Sequence, residues 1–162
     1  MCSSQKRVTR PINIFRSSTT VNTINSETVL TGIGTESNSD FFVDASSGTF
    51  NITLPSAGVG LRYKFFIADM HASTGFTITP KSTGDVLFGR ATVMSTTENK
   101  SDVQIVDKEN GLDTLTFLPA SATNGGNAGD TIECIAIDGT NWLVVANLTT
   151  SSAAPSGISV FS

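Results

Sequence analysis

Histidine is scarce in this chain: His71 is the only one among 162 residues. A nucleophilic triad needs a positioned base, and a zinc centre needs several nitrogen or sulfur ligands. With one histidine, two cysteines and no Gly-x-Ser-x-Gly motif, neither kind of site has enough residues. We therefore expect no catalytic residue, no metal site and no cofactor. Two catalytic alternatives stay open: an enzyme built around His71, and a glycosidase that uses a pair of the fourteen acids.

Long apolar runs are also missing. No run reaches the roughly 18 residues of a membrane helix, and the N-terminus lacks the apolar segment of a signal peptide. These features predict synthesis in the cytoplasm, no membrane contact and no export by a standard signal. Charged residues make up only 15% of the chain, whereas serine and threonine, which suit a pleated strand, are abundant.

The few remaining polar candidates are interpreted as structural. Cys2 lies near the terminus and Cys134 within a predicted strand, so we expect no disulfide and a buried Cys134. Four aspartates occur at predicted turns, and none belongs to the spaced acidic loop of a calcium site. Turn capping is the expected role of these four: Asp40, Asp85, Asp130 and Asp138.

Charge is distributed unevenly along the chain. Residues 1–26 carry four bases and no acid, whereas residues 27–162 carry six bases and fourteen acids, giving net charges of +4 and −8. A basic arm that also contains apolar anchors is better suited to dock on an acidic partner than to remain a solvated tail. Nucleic acid is not the favoured partner, because aromatic residues do not alternate with the bases. The predicted docking residues are Lys6, Arg7, Arg10, Ile12, Ile14, Phe15 and Arg16.

Alternation of apolar and polar residues predicts the fold class. Short segments with a period of two recur about every ten residues, and no window forms an amphipathic helix. The chain is predicted to be all-β, a β-sandwich or jelly roll of about nine or ten strands with an extended N-terminal arm. We expect an arm over 1–40, the β-domain over 41–148 and a tail over 149–162.

A short motif recurs in three of the predicted strands. The segments 50–55, 76–80 and 115–119 each alternate and then end in proline, and Gly84-Asp85 and Gly129-Asp130 open strands that follow. Proline suits the end of a strand, where no ladder donor is needed. Because the spacings are unequal, we interpret the motif as a repeated strand–turn solution and not as a solenoid. It gives Pro55, Pro80, Gly129 and Asp130 structural roles.

The C-terminal region predicts a hairpin and then a tail. Asp138-Gly139 is expected to form a turn with positive φ between two strands, with Trp142 packing at the start of the second and its N–H bonded to a carbonyl. The alternative is that Trp142 stacks on a sugar. The tail ends in a small apolar hook, predicted to reach a partner: Ile158, Val160 and Phe161.

Several of these segments resemble small β-domains of tailed-bacteriophage structural proteins, in particular capsid decoration (cement) proteins and head-fibre or tail-fibre modules. The resemblance covers about residues 40–146 and rests on Thr49–Pro55, Gly60–Ile67, Thr77–Pro80, Gly129-Asp130 and Asp138–Val145. It implies a sandwich or jelly roll, a homotrimer without enzymatic activity, a location on the virion capsid surface and the major capsid protein as partner.

Two functions follow from the resemblance. The first is a decoration protein that binds the outside of the phage head and stabilises the shell, with the basic arm docking on neighbouring subunits. The second is a head-fibre or tail-fibre module that recognises host glycans, with Trp142 or loop aromatics stacking on sugars.

Overall fold

The computed structural model describes residues 22–32, 38–71, 73–118, 124–151, 155 and 157–162. Within these ranges the chain forms strands and no α-helix; its only helical segment is a 3-10 turn at Lys108–Asn110. The strands are β1 (Asn22–Ile24), β2 (Thr28–Val29), β3 (Ser39–Ala45), β4 (Phe50–Leu54), β5 (Arg62–Met70), β6 (Phe76–Pro80), β7 (Val86–Ser95), β8 (Ser101–Val106), β9 (Leu115–Phe117), β10 (Thr131–Ala136) and β11 (Asn141–Thr150).

The strands form two mixed sheets. Sheet A has the order β1-β3-β5-β10-β11-β7-β8, and sheet B has the order β2-β4-β6-β9. From β1 to β7 the chain alternates strictly between the sheets, so that β1, β3 and β5 lie side by side and parallel in sheet A, and β2, β4 and β6 do the same in sheet B. The first half of the protein is therefore a coil of three turns, each with one strand in either sheet.

Aromatic side chains stack between successive turns of this coil, and between its last turn and β9. The ring of Phe50 lies 6.1 Å from that of Phe76, which lies 4.7 Å from that of Phe117. In sheet A, Phe41 stacks on Phe65 at 5.7 Å. Such pairs stabilise a sheet beyond the area that they bury. The recurring motif of the sequence thus marks three neighbouring strands, β4, β6 and β9, which pair in register.

Strand β11 joins the second half of the chain to the first. It pairs antiparallel with β10 over six residues and parallel with β7 over ten. At Gly89, φ is +130°, and a Cβ atom there would lie 2.2 Å from the carbonyl oxygen of Val144. Glycine is therefore required for the close approach of β7 to β11.

One hydrophobic core contains residues of both sheets. The largest side chains with no exposed surface include Tyr63, Phe65 and Trp142, and the rings of Tyr63 and Trp142 are 5.9 Å apart. Pro55 is buried directly after β4, and Pro80 ends β6, so both prolines terminate strands as predicted. Cys134 is fully buried, which raises the pKa of its thiol.

The all-β prediction is confirmed, although the described residues contain eleven strands where nine or ten were expected. The prediction did not include the five parallel strand pairs, a pattern that differs from a jelly roll of antiparallel neighbours. Side-chain alternation gives the two faces of a strand and not the direction of its neighbour, so the sequence pattern was compatible with either arrangement.

Two local expectations differ from the structure. The β10–β11 hairpin is present, but Gly139 does not have positive φ. Four residues separate the strands, and the Asp138 carboxylate holds the turn by accepting hydrogen bonds from Thr140 N at 2.9 Å and Asn141 Nδ2 at 2.7 Å. The expected carbonyl partner of Trp142 Nε1 is also absent among the described residues.

The predicted segment boundaries do not coincide with the ends of the strands. β1 and β2 lie within the segment 1–40 that was assigned to the arm, and the Ile24 side chain is 5% exposed. At the other end, β11 continues to Thr150, past the expected end of the β-domain at residue 148.

Candidate interaction surface

The outward face of sheet A carries the main candidate site. Cross-strand register aligns its side chains in rows, of which the central one is Lys64, Glu133, Val145, Arg90 and Ile105. A second row contains Arg62, Ile135, Leu143 and Phe88. Charge is concentrated on β5 and β10, whereas the end near β8 is mostly apolar.

We name the apolar end the edge patch, which comprises Phe88, Val103, Ile105, Leu143 and Val145. Ile105 is 72% exposed and Val103 is 46% exposed, although both are large apolar residues on an ordered strand. A cluster of exposed apolar side chains of this kind usually marks a contact with another molecule.

A shallow concavity of about 380 Å³ lies over the edge patch. Phe88, Leu143, Val145 and Ile105 supply apolar walls, and Arg90 and Lys108 add cationic groups. Gly89 and Val144, the two residues of the close approach between β7 and β11, also line the depression.

An ion pair and a cation–π contact occupy the charged part of the same face. Arg62 Nε donates to Glu133 Oε1, and Lys64 Nζ lies 4.6 Å above the ring centroid of Phe66. Phe66 in turn stacks on Phe42, at 5.5 Å between centroids, and Phe42 is 39% exposed. The face therefore offers two separate surfaces, the edge patch and an exposed aromatic pair flanked by charge.

The Lys108–Asp138 ion pair lies at the rim of the concavity. Lys108 Nζ donates to Asp138 Oδ2 at 2.7 Å. This bond, followed by those from Thr140 and Asn141, lowers the pKa of the Asp138 carboxyl. The two side chains are 49% and 38% exposed, so the pair orients the rim and adds little to stability.

The predicted arm residues fall outside the described residues. Residue 22 is the first that the structure describes, so the assignment of a docking role to these seven positions stays a prediction: Lys6, Arg7, Arg10, Ile12, Ile14, Phe15 and Arg16.

The predicted C-terminal hook lies inside the protein's own fold. Val160 is 0% exposed and Phe161 is 2% exposed, and Ile158 belongs to the same core. Phe161 forms a bridge to Leu115 of β9, while Gln104 donates to its carbonyl and accepts from its N–H at 3.2 and 2.9 Å. The hook thus covers the edge of sheet B, because its apolar side chains gain more by completing this core than by remaining in solvent. The structure therefore places the three hook side chains in the core of their own chain.

Trp142 is equally inaccessible. Its ring is fully buried and packs beside Tyr63. A sugar cannot stack on a ring with no exposed surface, so Trp142 is a core residue and the sugar-stacking alternative at this position is wrong.

Two predicted turn aspartates are buried acceptors of main-chain hydrogen bonds. Asp130 follows Gly129, whose φ is +96°, and accepts from Asn127 N, Thr149 N and Thr149 Oγ1 at 2.6–2.9 Å. Burial raises the pKa of the Asp130 carboxyl, and these hydrogen bonds oppose that shift. Asp85 accepts from Ala57 N at 2.7 Å. Asp85 thus links the loop at Ala57 to the start of β7, and Asp130 links the loop at Asn127 to the start of β10.

His71 is exposed at the end of β5, with Nδ1 3.0 Å from Ser73 Oγ. In the described part of the chain, no three histidine, cysteine, aspartate or glutamate side chains cluster as metal ligands would. Nor does any helix there have the length and apolarity needed to cross a membrane.

Sequence reasoning missed the edge patch. The signal was present in Ser101–Val106, where valine and isoleucine occupy positions 103, 105 and 106, but alternation alone does not indicate which face of a strand is covered. Register supplies that information, because Val103 and Ile105 lie opposite Thr92 and Arg90 on the outer face of β7.

The chain matches no protein-family model, no curated protein and no solved structure. Its function is therefore inferred from its own residues and surfaces.

Proposed function

We propose that this protein is a structural virion protein, a capsid decoration protein that binds the outer surface of a tailed-phage head and stabilises the shell. It would act without cofactor or enzymatic activity. The observation that carries the proposal is the pairing of an acidic, tightly stacked β-body with an oppositely charged arm and an exposed apolar patch. A β-domain of this kind is suited to bind neighbouring capsid subunits through its exposed apolar patch and its N-terminal arm.

The mechanism follows from mass action. A protein that binds the assembled lattice and not the free subunits stabilises the lattice by its binding free energy. Assembly as a homotrimer would multiply weak individual contacts by raising the effective concentration of each arm. The partner is the major capsid protein, and the decorated particle forms in the host cytoplasm.

We further infer that sheets A and B form the two layers of a sandwich. Alternate residues of β3 and β4, such as Val43 and Ile52, have no exposed surface and belong to one core. Two sheets that share a core in this way bury one face of each, the basic feature of a sandwich.

The docking role of the arm is tested with the full-length chain. Truncation is best limited to residues 1–21, because removal of residues 1–26 would also delete β1 and its buried Ile24. A cleaner variant replaces all four arm bases with serine: Lys6, Arg7, Arg10 and Arg16. We expect it to fold normally and to lose at least about tenfold in capsid occupancy. Each exposed ion pair contributes about 0.2–1 kcal/mol, so the loss of four such pairs can exceed the roughly 1.4 kcal/mol that corresponds to a tenfold change.

The matched control replaces two bases of the body, Lys81 and Lys100, with serine. Occupancy is measured as the ratio of this chain to the major capsid protein on purified particles. Undiminished occupancy of the arm variant would refute the docking role.

A glycan-binding fibre module is the second candidate, and the exposed aromatic pair favours it. Phe42 and Phe66 stack near Lys64 and Asp40, which pair in register across β3 and β5. An accessible ring beside charged groups can stack on a sugar and hydrogen-bond its hydroxyls. Glycan-array binding that disappears in Phe42→Ala, and persists in an Ile105→Ala control, would favour this function over decoration.

A further inference from the structure

Strand β8 is an open edge. It ends the order of sheet A, and no described strand pairs with its outer side. It has six residues, whereas the edge strands β1, β2 and β9 have two or three, and the C-terminal segment already bonds to β9. Long unpaired edges recruit a further strand from another segment or chain.

The pattern of hydrogen bonds between β7 and β8 shows which main-chain groups of β8 face away from β7. Ser95 N donates to Lys100 O at 2.8 Å, which marks a bonded pair between β7 and the start of β8. In an antiparallel ladder the bonded pairs alternate, so the main-chain groups of Ser101, Val103 and Ile105 point away from β7. One donor is already occupied, because Asp102 Oδ1 accepts from Val103 N at 2.8 Å.

The basic arm has a matching pattern. Arg10, Ile12, Ile14 and Arg16 alternate along the sequence, so that an extended segment places them on one face. We propose that residues 10–16 of one copy add as an antiparallel strand to β8 of a second copy. This inference uses the arm to which a docking role is assigned above, but it names a second copy of the chain as the partner and is tested independently of that role.

In the antiparallel register, the side chains of the arm lie opposite chemically matching side chains of β8. Ile12 lies opposite Ile105 and Ile14 opposite Val103, which extends the edge patch by two apolar residues. Arg10 then lies opposite Asp107. Pro11 falls at a position whose nitrogen faces away from β8, where a strand tolerates proline.

Charge favours the same pairing. Residues 96–113, which contain β8 and its flanks, carry five acids and two bases, whereas residues 1–26 carry only bases. Complementary charge raises the rate of encounter and disfavours wrong partners.

Distance along the sheet favours pairing between copies over pairing within one chain. β1 and β8 lie at opposite ends of sheet A, six strand intervals apart, which is about 29 Å along the sheet at about 4.8 Å each. Six residue steps separate Arg16 from Asn22, and these span at most about 22 Å when fully extended. We therefore assign the acceptor edge to another copy. Each copy then donates its arm to one neighbour and accepts the arm of another. Such head-to-tail contacts close into a ring, for example a trimer.

Two full-length variants test the exchange. The arm variant carries Ile12→Ser and Ile14→Ser, and the edge variant carries Ile105→Lys. Because Ile105 is 72% exposed, the edge variant is expected to retain the wild-type Tm. Val59→Lys is the matched control, since Val59 is 80% exposed and lies outside sheet A.

Native mass spectrometry and analytical ultracentrifugation, without capsids, measure self-association. We expect each variant alone to associate at least about tenfold more weakly than wild type. This corresponds to a loss of about 1.4 kcal/mol or more of association free energy. Mixed together, they should form a one-to-one heterodimer, because the edge variant donates an intact arm and the arm variant offers an intact β8. The control should associate as wild type does.

Three results would each overturn the arm exchange. The wild-type chain could stay monomeric, the two variants could associate as wild type does, or their mixture could form no heterodimer. If any of these occurs while the four-base serine variant still loses capsid occupancy, the decoration function stands without the exchange. If exchange occurs but occupancy does not depend on the arm bases, the exchange stands and the docking role on capsids fails.

Discussion

Replacing Phe161 with alanine should destabilise the whole domain, although this residue is the penultimate one of the chain. Its ring is 2% exposed and packs in the same core as Val160 and Leu115. Substitution of a buried phenylalanine by alanine costs about 3–5 kcal/mol, from lost burial and from the cavity that remains. At about 2–4 °C per kcal/mol for a domain of this size, the Tm should fall by roughly 10 °C.

Urea unfolding of the full-length variant measures this loss directly. The m-value should equal that of wild type, because the same surface is exposed on unfolding. Val59→Ala is the matched control, since Val59 is 80% exposed and its truncation should change the free energy of unfolding by less than about 0.5 kcal/mol. A loss below about 1 kcal/mol for Phe161→Ala would refute our placement of the hook in the core and would make it available to a partner again.

Two further predictions concern the packing of sheet A and the charge buried beside it. Gly89→Ala should destabilise the protein by at least about 2 kcal/mol, because φ is +130° and the new Cβ would meet a main-chain oxygen at 2.2 Å. Gly48→Ala, with open space around it, is the control, and equal stability of the two variants in thermal unfolding would contradict this. Burial raises the pKa of Asp130, so its stabilising contribution is complete below the unfolded pKa of about 3.9 and is lost as pH rises through the higher folded pKa. The free energy of unfolding of wild type minus that of Asp130→Asn should therefore fall from about pH 3 towards neutrality, and a difference that rises with pH in urea titrations would show the sign to be wrong.

The strands themselves could be predicted from local pattern. Phe50, Ile52 and Leu54 alternate with polar residues, and the structure buries the second and third of these completely. Asp130 and Asp85 were expected at turns before strands, and both are found there. These features depend on neighbours in sequence, which is why the residue pattern contains them.

The coil, by contrast, depends on contacts between distant residues. Phe50 and Phe76 are 26 positions apart and stack because β4 and β6 pair side by side. Phe41 and its partner Phe65 are 24 positions apart. Unequal spacings hid this regularity, since the turns of the coil have loops of different length. The burial of Phe161 depends in the same way on β9 and on Gln104 of β8.

The candidate surface could be predicted only in part. The charge of the arm is visible in the sequence, whereas the edge patch needs the sheet order that places β8 at an edge and the register that aligns Ile105 with Arg90 and Val145. A surface assembled from three strands of different sequence position has no local signature.

Location on the particle tests the central claim most directly. Virions that encode this protein would be purified, labelled with an antibody against the chain and imaged by electron microscopy, with quantitative protein composition measured on the same preparation. We predict regular labelling over the surface of the head and a fixed ratio of this chain to the major capsid protein. Absence of the chain from purified virions, or labelling confined to the tail, would contradict its assignment as a capsid decoration protein.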